Sequence, residues 1–175
     1  MNWTIFHQHI FPIRHKLYRF AYRITGNVHE AEDVVQEVME KAWKSTEDQS
    51  AGVQNWEAWC MTLTRNRSLD KNRSRNTRRT ETLDGLAERK MNTNAGPDAV
   101  VETEDMVRQV RALMQELPEK QRLVMHLRDI EEMSYEDIAF TLDISLDQVK
   151  INLHRARKIM REKLNNLAPV KQILN

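Results

Sequence analysis

The sequence predicts an all-α protein made of two small helical domains joined by a linker. Three observations carry this prediction. Apolar residues recur at spacings of three and four through most of the 175-residue chain, the mark of amphipathic helices. No run alternates with period two long enough to make a strand. From about Thr77 to Asp98 the periodicity lapses into Asn, Thr, Asp and Arg with the pair Gly96-Pro97. The expected boundaries are 1–76 for the first domain, 77–98 for the linker and 99–168 for the second domain.

The first helix carries Ile10, Ile13, Leu17, Phe20, Ala21 and Ile24 on one face, and Gly26-Asn27 ends it. His7 and His9 precede it as an H-x-H pair, on a segment expected to be flexible and without a third metal ligand. The second helix is expected over about His29–Ser45, with Ala31, Val34, Val35, Val38 and Ala42 inward. Asp33, Gln36, Glu37 and Glu40 fall at i, i+3, i+4 and i+7 on the opposite face and should project together into solvent. Asn55 caps a third helix in which Trp56, Trp59 and Leu63 share a stripe. Trp59 is expected in the core, while Trp56, at the helix start, suits either core or nucleobase contact. Beyond Thr64 this helix turns basic and polar.

In the second domain Val107, Val110, Leu113, Met114 and Leu117 form a stripe. Pro118 starts a following helix with Leu123, Val124 and Leu127. The stretch Ser134–Lys163 then reads as two helices and a tight turn. Ser134 with Asp137, and Ser145 with Gln148, are spaced as capping boxes. Tyr135, Ile138, Ala139 and Leu142 face inward on the first helix; Val149, Leu153, Ala156 and Met160 do so on the second. Asp143 stands where the turn wants a left-handed residue, a conformation Asp tolerates. The pattern is a helix-turn-helix, whose second helix suits the major groove.

The formal net charge of +1 hides segregation. His29–Glu40 holds five acidic residues and no Lys or Arg; Arg65–Arg79 holds seven basic and one acidic; Lys150–Lys163 holds six basic and one acidic. Two basic segments suggest two contacts with a polyanion, and the acidic helix a third, different surface. The single cysteine, Cys60, excludes an internal disulfide framework and fits a reducing cytoplasm. No apolar run approaches membrane-spanning length, so stable membrane insertion is not expected. The glycines Gly26, Gly52, Gly85 and Gly96 are too dispersed for a phosphate-cradling loop, and no catalytic constellation is found. Neither cofactor nor metal is expected.

Two stretches carry a resemblance. AEDVVQEVMEKAW (Ala31–Trp43) followed by WCMTLTRNRSLDKNR (Trp59–Arg73) resembles region 2 of the sigma-70 family. LPEKQRLVMHLRDIEEMSYEDIAFTLDIS with the later VK and LHRARK (Leu117–Lys158) resembles region 4. With these two regions and a short linker, the chain is similar to the extracytoplasmic-function (ECF) sigma factors, dissociable promoter-specificity subunits of bacterial RNA polymerase without enzymatic activity. The resemblance implies that Asp33, Gln36, Glu37 and Glu40 dock on the clamp helices of the largest polymerase subunit. It implies that Trp56, Arg65, Asn66, Asp70 and Arg73 serve the −10 element, with Asn66 at an extruded base. It implies that Gln148, Lys150, Asn152 and Arg155 read the −35 groove, with Arg157 and Lys158 on phosphate, and that region 4 also touches the flap of the second-largest subunit. The family is often held inactive by an anti-sigma factor, an expected partner in a bacterial cytoplasm.

The chain departs from the family pattern at Glu132 and Asp143, where glycine is frequent or common, and at Asp147-Gln148 and Ile151-Asn152 in the second helix of the motif. The resemblance implies that the last two pairs face bases, so they are expected to bear on promoter sequence and not on fold. Two other classes fit parts of the pattern. A helix-turn-helix regulator reading duplex DNA alone leaves the acidic helix and the Trp56–Arg73 stretch without a role. A metal-dependent nuclease using Asp33, Glu37 and Glu40 needs ligands converging from more than one element.

Overall fold

The structure, a computed structural model, describes residues 2–47, 52–81 and 101–166. Every regular element among them is helical. The chain divides into two compact units, one built on Met1–Thr93 with Phe140–Leu142 and the other on Asn94–Ala139 and Asp143–Asn175. Residues 82–98 of the expected linker lie outside the described residues, as do 99–100 and 167–168 at the two ends of the expected second domain.

The first unit begins with α1 (Asn2–Ile5), a π turn (Phe6–Ile10) and a 3-10 turn (Phe11–Ile13). The segment expected to be flexible is therefore helical. Trp3 and Phe6 meet Trp43 edge-on at 6.1 and 5.1 Å between ring centroids, geometry that aromatic quadrupoles favour. Three longer helices follow: α2 (Arg14–Thr25), α3 (Val28–Glu47) and α4 (Trp56–Glu81). Gly26 takes φ +66°, and its N–H bonds the Tyr22 carbonyl at 2.9 Å, a left-handed cap that costs glycine little. Asn27 then caps α3, its Oδ1 accepting the Glu30 N–H at 3.0 Å. Ile10, Leu17, Phe20 and Ala21 are buried, as are Ala31, Val34, Val38 and Ala42 of α3. Ile24 and Val35 are only half-buried.

α4 differs from expectation in which face it buries. Trp59 and Leu63 are half-buried, and the core side is Met61, Thr64 and Ser68. α4 packs against both α2 and α3, and small side chains let three backbones approach closely. Thr64 removes the cost of burying its hydroxyl by donating to the Cys60 carbonyl at 2.9 Å. Trp56 and Trp59 meet edge-to-face at 5.6 Å. The far end of α4 is tied down by its polar residues: Asn72 Nδ2 and Arg75 Nη2 donate to the Ile24 and Thr25 carbonyls at 2.9 and 3.1 Å. These are the orphan carbonyls at the C-terminus of α2.

The second unit contains α5 (Val101–Gln115), α6 (Glu119–Met125) with a π turn (His126–Ile130), α7 (Tyr135–Leu142) and α8 (Leu146–Asn165). Met114 and Leu117 of α5 pack on Ala156 and Met160 of α8, with Val110, Leu113, Met125 and Ile159 around them. Val107, expected in this stripe, is 43% exposed. The other expected inward residues of α8, Val149 and Leu153, are buried, as are Ile138 and Leu142 of α7. Tyr135 and Ala139 are half-buried. Ser134 caps α7 by accepting the Asp137 N–H at 3.0 Å while its hydroxyl donates to the Asp137 carboxylate at 2.7 Å. Ser145 and Gln148 form a full reciprocal capping box on α8. Before α7, the buried His126 and Glu131 side chains lie 3.2 Å apart, and Arg128 donates to the Met133 carbonyl at 2.6 Å.

Two non-glycine residues hold positive φ, Glu132 at 61° and Asp143 at 52°. Both are positions where the pattern that the sequence resembles has glycine frequently. Left-handed backbone costs an L-residue roughly 1–2 kcal/mol, less for Asp than for Glu because the short Asp side chain bonds locally. Glu132→Gly should therefore raise the stability of this unit by about 0.5–1 kcal/mol, and Asp143→Gly by less. Glu132→Val should lower it by about 1–3 kcal/mol. Urea unfolding midpoints of the three variants check the order; a Glu132→Gly protein no more stable than wild type would contradict it.

Candidate nucleic-acid interface

The acidic row of α3 does not stand free in solvent. Lys71 Nζ lies 3.5 Å from Asp33 and 3.2 Å from Glu37, and Arg67 Nε lies 3.7 Å from Glu37. Arg75 reaches Glu30 at 3.0 Å. The hydrogen bond to Glu37 holds the Lys71 ammonium above its ordinary pKa; burial opposes this and Asp33 adds to it. Asp33 and Glu37 are thus held along a seam between α3 and α4. Gln36 and Glu40 are exposed, and Glu40 forms no ion pair among the described residues. Such partly exposed pairs are worth only about 0–1 kcal/mol each, so they orient the carboxylates more than they stabilise the fold.

That seam divides α4 into three faces. Met61, Thr64 and Ser68 face the core; Arg67, Lys71 and Arg75 engage α3 and α2. Asn66, Asp70 and Arg73 are exposed at i, i+4 and i+7 on the third face. Trp59, seven residues before Asn66, lies in the same stripe. Arg65 Nη1 contacts Asn66 Oδ1 at 3.4 Å, and Arg73 sits 3.8 Å from Asp70. Of the residues expected at the −10 element, Asn66, Asp70 and Arg73 thus share one exposed face, Arg65 meets it through Asn66, and half-buried Trp56 sits apart at the head of the helix. Arg67 and Lys71, two of the seven cations in this segment, lie beside the acidic row.

On α8 the burial of Val149, Leu153, Ala156 and Met160 turns the opposite side outward. Lys150, Arg155 and Lys158 are exposed, with Lys150 3.9 Å from Asp147. Gln148 and Asn152 are partly engaged within the helix. The Gln148 side-chain oxygen accepts the Ser145 N–H at 3.1 Å, and Asn152 Nδ2 donates to the Gln148 carbonyl at 2.7 Å. Arg157 is held by a two-pronged contact with Asp129, its Nε bonding Oδ2 at 3.2 Å, and Lys163 pairs with Glu116. These two pairs pin α8 to the helices beneath it.

Comparison with known proteins matches this layout. The sigma-70 region 2 family matches residues 13–79, and the sigma-70 region 4 family matches residues 107–160. The ECF RNA polymerase sigma factor SigL of Mycobacterium tuberculosis is 33% identical over 154 residues, covering 86% of this chain and 84% of SigL. The chain belongs to the ECF group of the sigma-70 family. SigE of Mycolicibacterium smegmatis is also 33% identical, over 149 residues, but this chain spans only 57% of SigE while 85% of the chain is covered. Among solved structures, the sigma factor RpoE of Bartonella quintana, in complex with the anti-sigma factor NepR, superposes with a TM-score of 0.74. That pair shares 24% identity over 93% of this chain and 98% of RpoE, which establishes the common fold.

Sequence reasoning missed the α3–α4 ion pairs and the outward stripe of α4 that includes Trp59. The signal was present as matched spacing: acids at i and i+4 on one helix, cations at i and i+4 on the next. No group of three His, Cys, Asp or Glu side chains able to hold one metal ion exists among the described residues. None of the described helices is long and apolar enough to cross a membrane.

Cys60 is fully buried, and burial, aided by the Glu57 carboxylate, pushes its thiol up to about 12 from 9.0. The unfolded thiol ionises first, so folding loses stability as pH rises from about 9 to about 12, and nothing is lost below that window. A thiol reagent at pH 8 should label the folded chain far more slowly than the urea-unfolded one. Cys60→Ala should flatten the alkaline fall in stability measured by unfolding at stepped pH. Rapid native labelling would contradict the burial.

Proposed function

We propose that the chain is a dissociable promoter-specificity subunit of bacterial RNA polymerase, acting in the cytoplasm by binding energy and without enzymatic activity of its own. In this reading the first domain, 1–76, docks on core polymerase and captures the −10 element. The second, 99–168, reads the −35 element, with 77–98 as the tether. The observation that carries it is the division of surfaces. The region 2 unit has an acidic row on α3 and a separate Asn66–Asp70–Arg73 stripe on α4, while α8 of the region 4 unit turns Lys150, Arg155 and Lys158 outward.

Asp33, Gln36, Glu37 and Glu40 form the docking face for the clamp helices of the largest subunit. Complementary charge there sets orientation and association rate. Asn66 takes an extruded base of the −10 strand, with Arg65, Asp70 and Arg73 around it and Trp56 serving the strand from the head of the same helix; holding the base lowers the cost of keeping it unstacked. Gln148, Lys150, Asn152 and Arg155 enter the major groove, and Lys158 binds phosphate. Arg157 reaches phosphate while keeping Asp129 as its anchor. The flap of the second-largest subunit is the further contact of region 4. Bartonella RpoE was solved with an anti-sigma factor on the same fold, which supports control of this chain by a partner of that kind.

A pull-down with bacterial core polymerase and run-off transcription on a promoter library test the reading. Stoichiometric capture and new transcripts from a subset of promoters are expected. No association with core, alongside tight binding to duplex DNA alone, would leave a stand-alone helix-turn-helix regulator instead.

Because Asp33 and Glu37 are tied to Lys71 and Arg67, Gln36→Lys and Glu40→Lys probe docking without breaking the seam. Together they should weaken core binding by about tenfold and leave −35 duplex binding unchanged. Lys150→Ala and Arg155→Ala should each do the reverse, weakening −35 binding by roughly 5- to 50-fold. Equal loss of both activities in either set would mean that the surface is assigned wrongly.

A further inference from the structure

We propose that Ile151 is a specificity-determining residue that packs on the 5-methyl group of a thymine and selects that base at one position of the −35 element. The inference rests on the assignment of α8 to the major groove. It concerns what the helix reads there.

Ile151 is 48% exposed, although isoleucine is among the residues most often buried. Its place on the helix is specific. At 100° per residue it points directly away from the buried stripe of Val149, Leu153, Ala156 and Met160, on the outermost line of α8 together with Lys158. It is also the sixth residue of the helix, within the N-terminal part that helix-turn-helix proteins present to base edges.

The side chains around it on the outer face are Asp147, His154, Arg155 and Lys158, all exposed. One apolar side chain ringed by charge makes a poor patch for an apolar protein partner, which needs contiguous area. It makes a good probe of a polar groove holding a single apolar feature. In the major groove of B-DNA that feature is the thymine 5-methyl, and apolar side chains distinguish thymine by it. The flanking cations suit the phosphates on either side, and the backbone of α8 is fixed by the Arg157–Asp129 and Lys163–Glu116 pairs. The branched side chain also holds one χ1 rotamer in a helix, so little ordering is lost on contact.

The test uses holoenzyme reconstituted from the full chain and bacterial core polymerase, with duplex DNA randomised across the −35 window. Wild type should select thymine at one position. Replacing that thymine with uracil removes the methyl and keeps every hydrogen-bonding group; it should weaken binding by about three- to fivefold, the effect of one buried methyl. Ile151→Ala should select that thymine no longer and bind the two duplexes within about twofold of each other. Ile151→Val, which keeps a branched apolar side chain, should retain the thymine preference. Equal binding of thymine and uracil duplexes by wild type at every selected thymine overturns the proposal while leaving α8 in the groove. The same holds if Ile151→Ala keeps the full methyl effect. A library that shows no −35 preference at all rejects the groove assignment itself, and this proposal with it.

Discussion

Close packing of α4 against two neighbours is the constraint on which the first unit depends. One helix must give a face to α2, a face to α3 and still present a third outward. Large apolar residues on its inner side would force the three axes apart. Met61, Thr64 and Ser68 solve this with one flexible side chain and two small ones, and Thr64 satisfies its own hydroxyl on the preceding turn. With the inner face small, the tryptophans are left at the margin. With the flank given to Arg67, Lys71 and Arg75, the acidic row of α3 is held in register beside α4. Asn66, Asp70 and Arg73 take the remaining third of the circumference. The outward surface follows from what the inner two surfaces require.

The second unit applies the same logic with larger residues. α8 buries a single stripe of Val149, Leu153, Ala156 and Met160, and so has one inward direction and one outward. Its start is fixed by the reciprocal Ser145–Gln148 box, its flank by Arg157 on Asp129 and its far end by Lys163 on Glu116. A helix held at three points presents its outer residues at defined angles, as base reading demands. The two left-handed residues at Glu132 and Asp143 bracket α7 and set the entry and exit of the chain around it. Their strain is accepted in exchange for tight turns.

Much of this was legible in the sequence, and the failures have a common cause. Residues whose fate is decided by their own helix were read well. Gly26 as a helix terminator, Asn55 at a helix start, Ser145 with Gln148 and the α8 stripe all behave as their spacing implies. Residues whose fate is decided by another helix were read poorly. Trp59 looked like core because it is large and apolar, yet the core wanted small residues at that crossing. Val107 fitted a heptad-like stripe, but the stripe meets its partner only from Val110 onward. The N-terminal turns read as a loose end because nothing local reveals that Trp43, on a different helix, offers them a surface. Asp33 and Glu37 lie on an exposed face as periodicity implied, but only the packing of α3 beside α4 shows which cations they meet.

That last point changes what the charge count means. The two basic segments look strongly cationic, yet Arg67, Lys71, Arg75, Arg157 and Lys163 all pair with acids on other elements. Arg155, Lys158 and Arg161 on α8 make no ion pair among the described residues, and Arg65 and Arg73 on α4 touch only neighbours on their own helix. Affinity for a polyanion scales with the number of phosphates neutralised, so two short sets of open cations, each on its own unit, make only a weak grip when acting alone. Their joint grip becomes large once both units are held at fixed separation on one partner, because the second contact is then intramolecular. An acidic row beside a thin cationic stripe therefore suits the proposed role of a subunit that grasps promoter DNA only after it has been mounted on polymerase. A free-standing repressor would have had every reason to leave those five cations unpaired.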